Sequence, residues 1–242
     1  AAELALDDGS LTHDATWCER TRCLRSESPA GWRSGVKHDC AEVFELLADP
    51  IGYRTSAGEI VELEDELVFP LLKGADLTKP RPEPRRAILV PVRSLKKEPL
   101  DLARVAPKAD AYLRARVDRL RARKSSVFAG RPPFSLFGIG EYSFAPYKVA
   151  IGGLSKRLSF AVVGPHGGKP VLFDDTTYFL PFWTAGEAEH ARRALESTLA
   201  RSFFEARTSW DAKRPITKRL LDALSLERVR GALTSIEASP TR

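Results

Sequence analysis

The stretch Tyr142-Ser143-Phe144-Ala145-Pro146-Tyr147-Lys148-Val149-Ala150-Ile151-Gly152-Gly153 opens a region in which aromatic and β-branched segments alternate with turn residues. Segments 142–151, 158–163, 170–173 and 177–180 have strand composition, and Gly152-Gly153, Gly167-Gly168 and Asp174-Asp175 separate them with residues that tolerate tight turns. Directly afterwards comes Thr184-x-x-Glu187, the spacing at which a Thr hydroxyl and a Glu carboxylate cap each other's backbone amides. A helix is therefore predicted from there, carrying Ala188, Ala191, Leu195, Leu199 and Phe203 on one face. Strands leading into helices within one continuous segment give a mixed α/β (α+β) class: a single domain with a mostly antiparallel or mixed sheet and flanking helices.

Upstream, Pro107 suits a first helical position, and Ala109, Leu113, Val117 and Leu120 follow it at helix spacing. Ala87 to Val90 reads as a buried strand, and the alternation of acidic and apolar residues over 59–67 as a strand with one solvated face. Val36, Val43, Phe44, Leu46 and Leu47 form a short apolar face that ends at Asp49-Pro50. Residues 1–33 are polar and weakly periodic, an irregular lead-in. Downstream, a helix is expected from Pro215 and a third after Ser225, so the domain runs over 34–235 with a tail at 236–242.

The 242 residues are 43% hydrophobic and 29% charged, which excludes a disordered or collagen-like chain. No apolar run approaches the roughly 18 residues needed to cross a bilayer, and the N-terminus has no signal-peptide pattern, so a cytoplasmic protein with no membrane partner is expected. Methionine is absent and the chain opens on Ala1-Ala2-Glu3-Leu4, which leads us to expect a piece of something longer. Three cysteines crowded into the first 40 residues argue against a secreted disulfide framework.

Charge is unevenly distributed. Residues 1–78 hold 7 basic against 16 acidic side chains, residues 79–131 hold 16 against 5, and residues 132–242 hold 15 against 11. The basic excess thus lies mainly in one segment, including Arg114, Arg116, Arg119, Arg121, Arg123 and Lys124, offset locally by Asp110 and Asp118 alone. Such a segment can be a solvated helix face or can bind a polyanion by displacing its counterions. The one-sided charge favours the polyanion.

Several motifs imitate active sites. Arg131-Pro132-Pro133-Phe134 is close to the Asn/Asp-Pro-Pro-aromatic signature of amino-group methyltransferases, but that first side chain must accept a hydrogen bond, and arginine only donates. Phe137-Gly138-Ile139-Gly140 is half of a glycine-rich cofactor loop, placed too late in the chain. Cys18, Cys23, His38 and Cys40 have an unusual spacing for zinc, and free thiols are the plainer reading. Glu141, Lys148, Lys169, Asp174 and Asp175 supply the residue types of a metal-dependent nuclease, although the aspartates also suit a turn.

One set of segments, in this order, resembles the C-terminal part of Taq-like adenine-specific DNA methyltransferases, including fused restriction-modification enzymes. The segments are Ser34-Gly35-Val36-Lys37-His38-Asp39, then Val68-Phe69-Pro70-Leu71-Leu72-Lys73-Gly74-Ala75-Asp76-Leu77, then Pro84-Arg85-Arg86-Ala87-Ile88-Leu89-Val90-Pro91. They continue with Arg123-Lys124-Ser125-Ser126, Arg131-Pro132-Pro133-Phe134-Ser135, Tyr142-Ser143-Phe144-Ala145-Pro146-Tyr147-Lys148-Val149 and Asp174-Asp175-Thr176-Thr177-Tyr178-Phe179. Trp210-Asp211-Ala212-Lys213-Arg214-Pro215-Ile216-Thr217 closes the set. The resemblance implies a target-recognition domain that grips double-stranded DNA for base flipping. Adenine-N6 methylation and S-adenosylmethionine binding would belong to an N-terminal catalytic domain of the same protein, with no cofactor in this segment.

On that basis Lys73, Arg85, Arg86, Arg123, Lys124, Lys213 and Arg214 are assigned to phosphate contacts, and Lys37, His38, Tyr142 and Lys148 to base edges, with no catalytic or metal-binding residue. These cations should gather along a groove. The alternatives are a complete methyltransferase, a metal-dependent nuclease, and a protein-interaction module whose arginine helix meets an acidic partner.

Overall fold

The computed structural model describes residues 5–7, 10–12, 14–79, 82–92 and 101–237. The basic Arg81, Arg93, Lys96 and Lys97, and most of the tail expected at 236–242, lie outside the described residues. The strands are β1 (Ala5–Asp7), β2 (Ser10–Thr12), β3 (Arg33–Ser34), β4 (Glu45–Asp49), β5 (Gly52–Arg54), β6 (Ile60–Val61), β7 (Val68–Leu72), β8 (Arg86–Leu89), β9 (Tyr147–Gly152), β10 (Ala161–Val163), β11 (Leu172–Phe173) and β12 (Thr177–Phe182). The helices are α1 (Ala15–Arg20), α2 (Ala41–Phe44), α3 (Leu102–Val105), α4 (Pro107–Arg114), α5 (Val117–Arg121), α6 (Ala185–Glu196), α7 (Thr198–Arg207), α8 (Lys218–Asp222) and α9 (Leu226–Glu237). The mixed α/β class holds.

Two sheets carry the fold. One is antiparallel, in the order β10-β9-β12-β3; the other is mixed, in the order β11-β7-β8-β4-β5-β6, with β11 parallel to β7. Helices α6 to α9 cover the first, where Phe203 and Phe204 are fully buried against Val149, Ile151 and Leu180. Each such ring is worth roughly 1.5–3 kcal/mol of burial. Helix α4 covers the second, with Leu113 and Tyr112 against Phe44, Ile88 and Leu89. A third cluster joins the sheets: Leu72 and Phe173 of one meet Ala150, Val163 and Phe179 of the other, and the Phe173 and Phe179 rings lie 5.3 Å apart.

Residues 34–37 strap the sheets together. Gly35 N–H donates to Thr177 O at 2.9 Å, Val36 N–H donates to Phe173 O at 2.7 Å, and Lys37 pairs with Phe137. That exchange requires Gly35 to lie flat on residues 173 and 174.

Several boundaries depart from the sequence expectation. The lead-in is not irregular throughout: it holds the β1–β2 hairpin and α1, and Leu24 and Trp32 are buried in the same core as α6 to α9. The capping box forms as expected, with Thr184 Oγ1 accepting from Glu187 N–H, but the helix stops at Ser197, whose own hydroxyl caps α7. The helix from Pro107 is likewise broken, at residues 115–116. The strand expected over 59–67 shrinks to Ile60–Val61, followed by a 3-10 turn over Asp65–Leu67. The helix expected from Pro215 begins instead at Lys218, capped by Thr217, and the one after Ser225 is present as α9.

Candidate nucleic-acid interface

Glu45, at the start of β4, ties together two of the sequence segments. Its carboxylate stands 2.7 Å from Lys73 Nζ and 3.3 Å from His38 Nε2. His38 Nδ1 accepts from Cys40 N–H at 3.1 Å, so Nε2 is the nitrogen that carries the proton towards Glu45. Burial alone would raise the Glu45 pKa, but the hydrogen bonds from His38 and Lys73 outweigh it and hold the carboxyl below its ordinary value. Asp76 forms a second hub: it accepts from Lys73 N–H, pairs with Lys79 at 2.9 Å and lies 3.7 Å from Arg86. Lys73 and His38 are thereby engaged by Glu45, while Arg86 remains exposed beside Asp76.

Arg123 is also committed internally. Its guanidinium, over the Phe128 ring, donates to the carbonyls of Leu120, His38, Ser135 and Pro133 at 2.6–3.1 Å. Burial pushes its pKa below the usual arginine value. This corrects its assignment as a phosphate contact: four of its five N–H groups already bind main chain. Arg123→Met would leave four carbonyls short of a donor and is expected to cost roughly 2–4 kcal/mol in urea denaturation. Arg123→Lys, with fewer donors and no planar fork, should recover less than half of that loss. A variant within about 0.5 kcal/mol of wild type would show that the carbonyls find other donors.

Lys148 is a second correction. It lies in β9 with 1% exposure, its Nζ donating to Ala145 O at 2.6 Å and standing 6.0 Å from the Phe179 ring. Burial lowers its pKa to about 7. A side chain enclosed in this way does not present itself to a base edge. Tyr142 is half-buried beneath the Arg33 guanidinium, 4.7 Å from its ring, and Lys37 pairs with Asp39 at 3.5 Å. Arg214 lies 3.5 Å from Tyr178 Oη. Arg85, Lys124 and Lys213 are exposed and form no ion pair with any described residue.

The cations of residues 108–121 are offset partly by local aspartates and partly by the acidic N-terminal segment. Arg114 binds Asp110 at 2.7 Å, Arg116 binds Glu59, Arg119 stands 3.4 Å from Glu42, and Lys108 binds Glu62 at 2.7 Å. The one-sided charge seen along the chain is thus partly neutralised in three dimensions. Nor do the eleven assigned residues line one groove. Arg85 and Arg86 flank a cavity of about 340 Å3 beside His166 and Lys169, while Arg123 and Lys124 edge two others with Arg119, Arg121 and Arg131.

Lys213 and Arg214 belong to a third place, which spacing did not reveal. Lys156 Nζ donates to Trp210 O and Ala212 O, both at 2.7 Å, and so holds that loop against the β9–β10 turn. Because β7 and β9 end here and β8 begins here, Lys73, Arg86, Lys156 and Arg157 share one end of the two sheets. No sequence signal marked Lys156 or Arg157. The nearest was the Gly152-Gly153 turn in front of them.

The imitation active sites resolve into structure. Gly138 has φ of +69° and lies on Gly35, where a Cβ would come within 2.4 Å of Gly35 O, so the Phe137–Gly140 turn is a packing device and not a cofactor loop. Asp174 Oδ1 accepts from Thr176 N–H and Oγ1, Lys169 binds Asp65, and Lys148 is enclosed, so the nuclease-like set is not brought together. Cys18 lies against Ala206 while Cys40 sits beside His38, and among the described residues no group of three His, Cys, Asp or Glu side chains could hold a metal ion. No described helix is long and apolar enough to cross a membrane.

No family model matches the chain. It is homologous to the type II methyltransferase M.NspV of Nostoc sp., at 40% identity over 203 residues, 84% of this chain and 42% of that protein. The chain thus spans less than half the length of this curated relative. Among solved structures it is similar to the type IIL restriction-modification enzyme MmeI, whose structure is a complex with DNA, at 14% identity and a TM-score of 0.48 over 90% of this chain and 30% of that one.

Proposed function

We propose that this chain is the DNA target-recognition part of an adenine-N6 DNA methyltransferase of a restriction-modification system. The observation that carries the reading is 40% identity across most of the chain to a type II methyltransferase of which it spans only 42%. That share leaves room for methyl transfer and S-adenosylmethionine binding in a separate catalytic domain of the same protein. Two motifs of this chain agree with that division: the Phe137–Gly140 turn is closed by Gly35 and so is not a cofactor loop, and Arg131, at the first position of the Pro-Pro motif, has no acceptor for the amine of a target adenine. Our reading gives this part double-stranded DNA as its partner. Phosphate contacts by free surface cations offset the few kcal/mol needed to take the target base out of the stack.

The contacts we assign are the exposed Arg85, Lys124 and Lys213. The test is fluorescence anisotropy of a labelled mixed-sequence duplex at several salt concentrations. Wild type should bind with log K falling steeply against log salt. Reversing all three cations to Glu should lower affinity at least roughly a hundredfold near 0.1 M salt and flatten the slope by about 3, at close to 0.9 per phosphate contact. Failure of wild type to bind, or an unaltered slope in the triple variant, would overturn the reading. Methyl transfer to DNA by this chain alone would overturn the placement of catalysis elsewhere.

A further inference from the structure

Where β7 and β9 end, a cleft of about 610 Å3 opens between Gly74 and Thr78 on one side and Leu154, Lys156 and Arg157 on the other. Glycine makes it possible. A Cβ on Gly152 would stand 2.8 Å from Gly74 O, and one on Gly74 would stand 3.3 Å from Gly152 Cα, so the two turns meet main chain to main chain. Gly74 N–H donates to Thr176 Oγ1 at 3.0 Å, which holds the juncture in place.

The charge around this cleft is unbalanced. Arg157 is exposed and pairs with no described residue, and the bonds from Lys156 to Trp210 O and Ala212 O bring the loop bearing Lys213 and Arg214 alongside. Of the nearby carboxylates, Asp76 is engaged by Lys79 and Arg86 and Asp174 by Thr176, Asp175 is half-buried, and Asp211 is exposed on the same loop as Lys213 and Arg214, so the cations Lys156, Arg157, Lys213 and Arg214 still outnumber the carboxylates left to face them. Leu154 adds an apolar surface that is 47% exposed, on a turn stiffened by Ser155 Oγ donating to Arg157 O at 2.9 Å.

We propose that this cleft takes the sugar-phosphate backbone of one DNA strand, with Arg157 contacting a phosphate and Leu154 lying against deoxyribose. A DNA strand alternates an anionic phosphate with an apolar sugar face, and the cleft offers a cation and an aliphatic side chain on one rigid turn. Such a contact fixes the register of the duplex without reading its sequence. The inference rests on the DNA-binding reading above and adds a site to it.

The test measures binding of a fluorescein-labelled mixed-sequence duplex to the full chain across a salt series. Arg157→Ala should weaken binding roughly tenfold near 0.1 M salt and flatten the slope by about 0.9. Leu154→Ala should weaken binding several-fold with the slope unchanged, because no phosphate contact is lost. Arg230→Ala, on the exposed face of α9, removes the same charge away from the cleft and should leave both quantities at wild type. If wild type binds and Arg157→Ala behaves like Arg230→Ala, this site is wrong while the DNA-binding reading stands. If wild type does not bind, both fall. Circular dichroism confirms that the variants keep their fold.

Discussion

Gly35→Ala should cost at least about 4 kcal/mol and leave the chain mostly unfolded, an effect larger than that of an ordinary surface or cap substitution. A Cβ at this position would lie 2.0 Å from Asp174 O and 2.5 Å from Phe173 O. Both neighbours are main chain, and neither can retreat cheaply, because Val36 N–H binds Phe173 O and Asp174 N–H binds Leu72 O. Relief therefore means parting the strap from β11, which takes with it the bond from Gly35 N–H to Thr177 O that reaches the other sheet. Gly186→Ala is the matched control. It lies in the first turn of α6 with nothing within 4 Å of the added Cβ, and it should be neutral or stabilising by up to about 1 kcal/mol. Urea denaturation of the two variants decides the matter. A Gly35→Ala protein within about 1 kcal/mol of wild type would mean that the sheets are not locked together here.

The second large effect concerns Lys148, and its sign depends on pH. The folded chain releases the Lys148 proton at about 7, whereas an unfolded lysine holds it to about 10.5. Between those values unfolding takes up a proton, so stability rises with pH across this window. Below about pH 7 the ammonium is charged in both states and its burial cost is felt in full, roughly 5 kcal/mol for a shift of this size. Lys148→Met keeps the length of the side chain and removes the charge. It should therefore be more stable than wild type at pH 6, with the gain shrinking as pH rises. Near pH 10 the order should reverse, because the neutral amine still donates to Ala145 O and methionine cannot. Melting temperatures at pH 6, 8 and 10 test this, and a difference between the proteins that does not vary with pH would refute it.

These two residues illustrate what could be read in advance. The sequence segment holding Gly35 stood out by its order among other segments, yet its physical task, a flat strap across two sheets, appears only when residues 173 and 174 are placed against it. Lys148 reads as a base-edge candidate because it sits beside an aromatic turn, yet in β9, between β10 and β12, its side chain is buried near the Phe179 ring. The phosphate assignments divide in the same way. Arg85, Lys124 and Lys213 are exposed and form no ion pair with a described residue, while Lys73 is engaged by Glu45, the exposed Arg86 by Asp76, and Arg123 by main-chain carbonyls.

By itself the sequence determined the elements whose signals are local. The Thr184–Glu187 capping box starts α6, β-branched and aromatic runs place β9 and β12, and the Asp174-Asp175 pair turns the chain between β11 and β12. Capping and turn geometry act within a few residues, so they can be read from spacing. Only the tertiary structure decided which charges remain free. Glu42, Glu59 and Glu62 neutralise cations more than 40 residues away along the chain, and Lys156 holds a loop more than 50 residues downstream. An ion pair depends on distance in space, which a linear spacing does not encode when the partners come from separate elements. For that reason the cleft beside Arg157 becomes visible only after the two sheets have met.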